Sequence, residues 1–411
     1  MSDMKYGLIG EKLGHSFSKI IHEKIADYTY ELKEISRESL DAFMSERDFV
    51  CVNVTIPYKE AVIPHLYFID EAAKAMGAVN TIVNRDGRLY GYNTDFYGMK
   101  LMIEKNGFDF SDSKVLILGS GGTAKTARAV SEALGASEII TVSRSGEVNY
   151  DNVSELHSDA DFIINTTPCG MYPNNDTFAL EPADFPRLKG IIDAVYNPLK
   201  TTLIQKGEKL GIKGVTGLYM LVAQAVLACS IFTDKDFDIG KISDEVYSEI
   251  IKEKQNIVLI GMPGSGKSTI GKALAEKLGR DFVDTDDVIT KRHGVISEIF
   301  AKYGEDYFRD RESEAVSNTA KGNSLVIATG GGAILREKNV DMLRQNGVIF
   351  FLNRPIEDIV PTDDRPLSSN IAGLKKRFEE RYDKYKSSAD FEISVDGNVE
   401  NSVMKILECI R

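Results

Sequence analysis

The sequence is poor in cysteine, has no surplus of positive charge, and lacks both low-complexity tracts and a clean apolar run of membrane-spanning length. Its four cysteines, Cys51, Cys169, Cys229 and Cys409, lie far apart without CxxC spacing. That excludes a disulfide scaffold and points to a reducing cytoplasm. Lys+Arg 50 against Asp+Glu 62 leaves a formal charge of −12. Such a field repels phosphate backbones and anionic membrane surfaces, so no nucleic acid and no membrane is expected as partner. The most apolar stretch, residues 215–232, contains Thr216, Gly217, Gln224 and Ser230. It falls short of the ~20 clean apolar residues of a span and reads as a buried helix. The start, MSDMKYGLIG, has no basic and apolar signal-peptide pattern.

What is present is ordinary globular material: 43% hydrophobic and 27% charged over 411 residues. At about 150 residues per domain, two to three domains are expected. Two segments repeat one logic, an apolar strand, a glycine-rich turn and a helix: KVLILGSGGTAKTARAV from Lys114 and IVLIGMPGSGKSTIGKAL from Ile257. Each opens a nucleotide-binding unit on a parallel sheet. Before Lys114 the chain alternates KYGLIG, the helical SKIIHEKIADY, YELKEIS, FVCVNVTIP and a hairpin turning at Asp86-Gly87. The charged segment from Thr233 divides the two units, with a linker at 246–255.

Gly119-Ser120-Gly121-Gly122-Thr123-Ala124 fits G-x-G-x-x-G/A between a strand and a helix. Gly119 permits the tight turn, Gly121 lets a pyrophosphate approach the backbone, and Ala124 permits close helix packing. About 20 residues on, where an NAD site places a carboxylate, the strand EIITV ends in Ser143-Arg144-Ser145. An arginine there can hold a 2′-phosphate, which favours NADP(H) over NAD. A solvated surface arginine is the competing reading of Arg144.

Four polar clusters fall at expected strand ends of the first lobe: His15-Ser16-Phe17-Ser18, Asn53-Val54-Thr55 running on to Lys59, Gly77-Ala78-Val79-Asn80, and Gly91-Tyr92-Asn93-Thr94-Asp95. Singly, each is turn or capping chemistry. In this order, with the glycine loop behind them, they resemble shikimate dehydrogenase over residues 1–245. The resemblance implies that Ser16 and Ser18 bind the substrate carboxylate and that Asn53, Thr55, Asn80, Asp95 and Gln224 contact ring oxygens. Tyr196 lines the pocket, Lys59 and Asp95 are the catalytic pair, and Thr166, Thr167 and Gly217 border the nicotinamide. A plain loop reading of Thr167 stays open. The chemistry agrees, because hydride delivery to a ketone builds charge on oxygen that an ammonium can stabilise and protonate.

Gly261-Met262-Pro263-Gly264-Ser265-Gly266-Lys267-Ser268 is a full G-x-x-x-x-G-K-[ST] loop, followed by Thr269. Its backbone cradles phosphates, Lys267 reaches the β/γ oxygens of ATP, and Ser268 ligates Mg²⁺. Asp284-Thr285-Asp286, Arg309 with Glu312, Gly330-Gly331-Gly332, Arg365-Pro366-Leu367 and Arg381 follow in order. This order resembles shikimate kinase from Ile257 onward. It implies that Asp286, Arg309, Gly331, Gly332 and Arg381 bind shikimate, with Asp286 as proton acceptor and Arg365 as the lid arginine on the transferring phosphoryl. Asp284 supports Mg²⁺ with Ser268. Arg309 also fits an ion pair with Glu305 or Glu312 on its own helix. The segment from Asp358 to Asp364 is acidic and lacks a second lid arginine.

The fold class expected is α/β: a small α/β substrate lobe (1–99, completed by helices at 218–245), a Rossmann NADP domain (100–217), a linker (246–255), and a P-loop nucleoside-monophosphate-kinase-like parallel-sheet domain (256–411). The resemblances imply reduction of 3-dehydroshikimate to shikimate and then its phosphorylation. Two rivals stay open, a quinate/shikimate dehydrogenase using NAD and fused to the kinase, and a sensor that binds shikimate and nucleotide without phosphoryl transfer.

Overall fold

Short apolar runs separated by glycine turns and amphipathic helices build three sheets in this computed structural model, which describes residues 4–14, 16–359 and 371–410. Strands β1 (Tyr6–Gly10), β2 (Tyr30–Glu34), β3 (Cys51–Val54), β4 (Phe68–Ile69), β5 (Thr81–Arg85) and β6 (Arg88–Tyr92) form a mixed sheet in the order β2-β1-β3-β5-β6-β4. Its β5–β6 hairpin turns at Asp86 and Gly87, both left-handed at φ 50° and 78°, as a two-residue turn requires. The next sheet is parallel throughout: β7 (Lys114–Leu118), β8 (Glu138–Val142), β9 (Phe162–Asn165), β10 (Gly190–Asp193) and β11 (Lys213–Thr216), ordered β11-β10-β9-β7-β8. The third, also parallel, holds β12 (Asn256–Ile260), β13 (Asp281–Asp284), β14 (Leu325–Ala328), β15 (Gly347–Asn353) and β16 (Phe391–Ser394) in the order β13-β14-β12-β15-β16. Helices cover both faces of such sheets, which is why the central strands read as unbroken apolar runs.

The chain divides into two compact units, Met1–Asn197 with Thr201–Ile250, and Pro198–Lys200 with Ile251–Arg411. Within the first unit the helix Asp95–Lys105 serves both lobes. Asp95 opens it beside β6, while Met99, Met102 and Ile103 join the core of the five-stranded sheet. A boundary at residue 99 therefore falls inside a helix. The apolar stretch at 215–232 becomes the helix Leu218–Thr233, buried along most of its length. Its end packs Phe232 and Ile231 against Leu8, Leu13, Tyr30, Cys51 and Val83 of the first lobe. Gly98 lets the two helices meet closely, since a Cβ there would sit 2.6 Å from the Met220 carbonyl oxygen.

The expected linker at 246–255 is mostly helix: Ile239–Lys254 runs unbroken, burying Ser243, Val246 and Ile250. Their spacing of three and four residues is a narrow apolar stripe that charged neighbours masked in the sequence. No helix among the described residues is long and apolar enough to cross a membrane. All four cysteines are free.

Candidate functional sites

In the first unit, residues singled out by sequence follow directly on the ends of parallel strands: Gly119 after β7, Ser143 after β8, Thr166 after β9, Tyr196 shortly after β10 and Gly217 after β11. That edge is where open parallel sheets bind ligands. Gly119 has φ 108°, and a Cβ on it would stand 2.8 Å from Thr166 Oγ1. Gly121 caps the helix Gly122–Ala133, and at Gly121 and Gly122 a Cβ would meet nothing within 4 Å. Ser120 is exposed beside this open cradle, Thr123 is half-buried in the first turn, and Ala124 is buried against the sheet core. The free N–H groups of that first turn suit a pyrophosphate. Arg144 is exposed next to half-buried Ser143, and no carboxylate stands in its place. These residues fit a 2′-phosphorylated dinucleotide.

Gly217 admits no side chain, because a Cβ would lie 2.2 Å from the Ala194 carbonyl oxygen. Thr166 donates its hydroxyl to Leu118 O at 2.6 Å, and Thr167 donates to Asn165 Oδ1 at 2.7 Å.

The first lobe brings its polar residues together in three groups. Lys59 Nζ lies 2.5 Å from Asp95 Oδ2, with both side chains less than one-fifth exposed. Asp95 stands in the first turn of its helix, where the partial positive charge of the N-terminus favours a carboxylate, and its N–H donates to Asn93 Oδ1 at 3.0 Å. A second group links Asn80, Thr94 and Gln224: the Asn80 amide donates to Thr94 Oγ1 at 3.0 Å, and Thr94 Oγ1 to Gln224 Oε1 at 3.2 Å. In the third, Ser16 donates to Ser18 Oγ at 3.0 Å and also bonds Tyr196, whose ring meets Phe17 with centroids 5.4 Å apart. His15 lies outside the described residues. Thr55 follows β3 directly and is half-buried. Across the lobes, Lys125 of the helix behind the glycine loop pairs with Glu60 at 2.6 Å, one residue from Lys59.

Asn53 behaves differently from its neighbours. It is 4% exposed, its oxygen accepts from Tyr30 OH at 2.7 Å, and its amide donates to Thr81 Oγ1 and Asn80 O. Both amide hydrogens and one of the two oxygen lone pairs are thus used inside the lobe, which leaves a single acceptor position for a ligand. Strand alternation explains this, since Asn53 and Thr55 point the same way but only Thr55 lies past the strand end.

In the second unit the loop after β12 has the backbone its sequence demands, with Gly261, Gly264 and Gly266 at φ 147°, 81° and 98°. Lys267 is buried and curls onto the carbonyl oxygens of Gly261 and Met262, both at 2.9 Å. Ser265 Oγ is buried with no partner among the described residues, Ser268 Oγ donates to Asp284 Oδ2 at 2.6 Å, and Thr269 is exposed. An orphaned hydroxyl, a ring of N–H groups and a hydroxyl–carboxylate pair fit a nucleotide phosphate with its Mg²⁺.

The turn Gly330-Gly331-Gly332 after β14 gathers the remaining residues. A Cβ on Gly330 would sit 2.7 Å from Asp286 Oδ1 and 2.8 Å from Glu312 Oε1, and one on Gly332 would sit 2.0 Å from Arg309 Nη1. Arg309 is bound by Glu312 at 2.7 Å and Glu305 at 2.9 Å, so the ion pairs expected on its own helix form, and they form beside this turn. Arg381 Nη1 and Tyr385 OH both donate to Gly331 O, at 3.2 and 2.5 Å. Burial raises the Glu312 carboxyl despite Arg309 beside it. Arg365 and the acidic segment before it from 360 lie outside the described residues.

Sequence reasoning missed Asn165, Asp193 and Thr94 as network members, and Arg377. The Arg377 Nη1 is buried without a partner among the described residues, one helical turn before Arg381, and burial and the Arg381 charge lower its pKa. The spacing of four between the two arginines was the available signal.

The model of the shikimate dehydrogenase substrate binding domain matches residues 8–82, and that of shikimate kinase matches residues 263–411. A shikimate dehydrogenase (NADP(+)) of Clostridium perfringens is 38% identical over 266 residues, covering 60% of this chain and 97% of the relative. Among solved structures, a chorismate mutase/shikimate 5-dehydrogenase fusion protein from Clostridium acetobutylicum matches at 35% identity and TM-score 0.57, over 61% of this chain and 98% of that one. A shikimate 5-dehydrogenase from Thermus thermophilus, solved with NADP(H) and shikimate, matches at 26% identity and TM-score 0.53, over 59% and 98%.

Proposed function

We infer the activity from one premise: the chain belongs to the shikimate dehydrogenase family and carries a shikimate kinase domain behind it. It is a bifunctional enzyme that reduces 3-dehydroshikimate to shikimate with NADPH and then phosphorylates shikimate with MgATP. The observation that carries the reading is that both residue sets close on shared points. The Lys59–Asp95 pair stands next to Glu60, which is tied to the cofactor-loop helix, while Asp286, Arg309 and Arg381 converge on one glycine turn.

When bound, NADPH supplies the hydride, and MgATP supplies the phosphoryl group with its charge partly neutralised. In the first site Lys59 offers its ammonium, a donor-only group, to the carbonyl oxygen as charge builds there. Asp95 holds that ammonium in place and accepts from the neighbouring ring hydroxyl. Asn80 and Gln224 orient the ring, and Ser16, Ser18 and Tyr196 receive the carboxylate. Gly119 to Ala124, Ser143, Arg144, Thr166, Thr167 and Gly217 receive the dinucleotide.

In the second site Arg309 and Arg381 take the substrate carboxylate with guanidinium forks. Asp286 accepts the hydroxyl proton, and Glu312 keeps Arg309 turned toward the glycine turn. Lys267 leaves its loop carbonyls for the phosphates, while Ser268 and Asp284 serve Mg²⁺. The net charge of −12 and the free cysteines favour small-molecule partners in the cytoplasm over nucleic acid.

The test is a one-pot assay of the purified chain with 3-dehydroshikimate, NADPH and MgATP, following NADPH loss and ADP release together. ADP formation that depends on 3-dehydroshikimate supports the reading, with Lys59→Ala and Lys267→Ala each silencing one signal. Absence of NADPH loss overturns the dehydrogenase half. Absence of ADP even with added shikimate makes the second unit a binding module.

A further inference from the structure

Between the ends of β9 and β10 lies a buried carboxylate that the chemistry above does not use. Asp193 is 0% exposed. Its Oδ1 accepts from Asn165 Nδ2 at 2.9 Å and from the Val195 N–H at 3.0 Å, and its Oδ2 accepts from Thr201 Oγ1 at 2.7 Å. These partners are all neutral, so nothing compensates the cost of burying the charge except the hydrogen bonds themselves. Burial accordingly pushes the carboxyl up to about 7.

Asn165 is the other half of the arrangement, 1% exposed and paired in register with Asp193. Its amide also donates to Cys169 O at 3.3 Å, while its oxygen accepts from Thr167 N at 3.1 Å and Thr167 Oγ1 at 2.7 Å. Thr167 Oγ1 in turn accepts from the Cys169 N–H at 3.2 Å. Only one orientation of the Asn165 amide works, because a flip would set NH₂ against the Thr167 N–H and oxygen against the Asp193 carboxylate oxygen. The bonds therefore run as one chain from the turn after β9 to the segment after β10. The first borders the proposed cofactor site, and the second carries Tyr196, which reaches Ser16 and Phe17 in the other lobe.

We propose that Asn165 and Asp193 are positioning residues of the reduction: their shared hydrogen bond fixes the turn at 166–170 to the Tyr196 segment, so that cofactor and substrate are presented in one register. This rests on the dehydrogenase reading above. Neither side chain touches reacting atoms. Each acts through Thr167 or Tyr196.

The test uses the full chain in steady-state reduction together with direct NADPH binding by calorimetry. Losing a hydrogen bond of this kind corresponds to roughly tenfold in a binding constant. Asn165→Ala and Asp193→Ala should each raise the KM of both NADPH and 3-dehydroshikimate by about that factor, with kcat falling less. Their combination should be no worse than the poorer single variant, because the two share one bond. Asp193→Asn should rescue, keeping both KM values within about twofold, since its oxygen can accept from Asn165 and Val195 while its amide donates to Thr201.

Should the alanine variants fail to fold, Asn165→Ser keeps a polar group in the space but is too short to reach Asp193, and should likewise raise both KM values. Unchanged KM values in Asn165→Ala or Asn165→Ser, additive effects in the double variant, or no rescue by Asp193→Asn would each overturn the proposal. A wild-type chain that binds no NADPH would instead sink the dehydrogenase reading.

Discussion

Adding one methyl group at Gly217 tests the cofactor edge more sharply than removing any side chain. Gly217 caps the helix Leu218–Thr233 and donates its N–H to Val195 O at 3.0 Å. Its Cβ would lie 2.2 Å from Ala194 O, 2.7 Å from Ala194 C and 3.1 Å from Ala194 Cα, where ordinary contact begins at 3.4 Å. All three atoms are backbone and cannot rotate aside, so helix and strand end must separate by ~1.2 Å, the difference between 3.4 and 2.2 Å. Forcing such a shift costs roughly 1–3 kcal/mol. For a unit of this size that lowers the melting temperature by roughly 2–12 °C. An ångström of misplacement at a reacting centre costs about 10²-fold in rate.

Gly217→Ala is therefore expected to lower kcat/KM for NADPH-dependent reduction by about that factor, and to lower the first unit's calorimetric melting transition. Shikimate phosphorylation by the same preparation should be unchanged, which controls for concentration and handling. A variant with wild-type reduction kinetics and melting temperature would refute the reasoning, because it would mean the gap between Ala194 and Gly217 opens without disturbing the site.

Arg144→Ala should narrow the preference for NADPH over NADH by about tenfold, the scale of one charge-assisted contact; unchanged cofactor ratios would return Arg144 to the solvated surface. Gly332→Ala drives a methyl into Arg309, which Glu305 and Glu312 hold in place, so the shikimate KM should rise about tenfold or more with the ATP KM unaffected. An ATP-specific defect would contradict that assignment. Asp193 binds a proton more tightly folded, at about 7, than at its ordinary 3.8. Its contribution to stability is thus full below about 4 and lost as pH rises toward 7. Denaturant titrations should show Asp193→Asn lacking this decline, so that its stability relative to wild type improves between pH 4 and 7; a parallel pH dependence in the two proteins would contradict the burial argument.

Glycine made the two nucleotide loops legible. Gly119 and Gly261 adopt φ values that other residues resist, and their spacing follows from that backbone requirement. Strand ends were legible too, because polar clusters after apolar runs mark where a parallel sheet meets solvent. What failed were questions of which way a side chain faces. Asn53 sits in a cluster expected to face a ligand, yet Tyr30, some twenty residues earlier in the chain, bonds its oxygen. The stripe of Val246 and Ile250 was too narrow to stand out among lysines and glutamates. Asn165 and Asp193 stand some thirty residues apart at the ends of two apolar strands, and only the pairing of β9 with β10 reveals that they bond each other.

The helix Leu218–Thr233 covers the first lobe's Leu8, Leu13 and Tyr30 from the far side of the five-stranded sheet's sequence. On the ribosome that lobe leaves the tunnel with an apolar face bare and must wait for residues made about 7–27 s later, at ordinary rates of synthesis. During that interval the nascent chain holds a sheet it cannot finish. Fragments ending before this helix should therefore aggregate or engage chaperones, while chains extending through it should not. Any shortening of the dehydrogenase half for expression has to keep that helix.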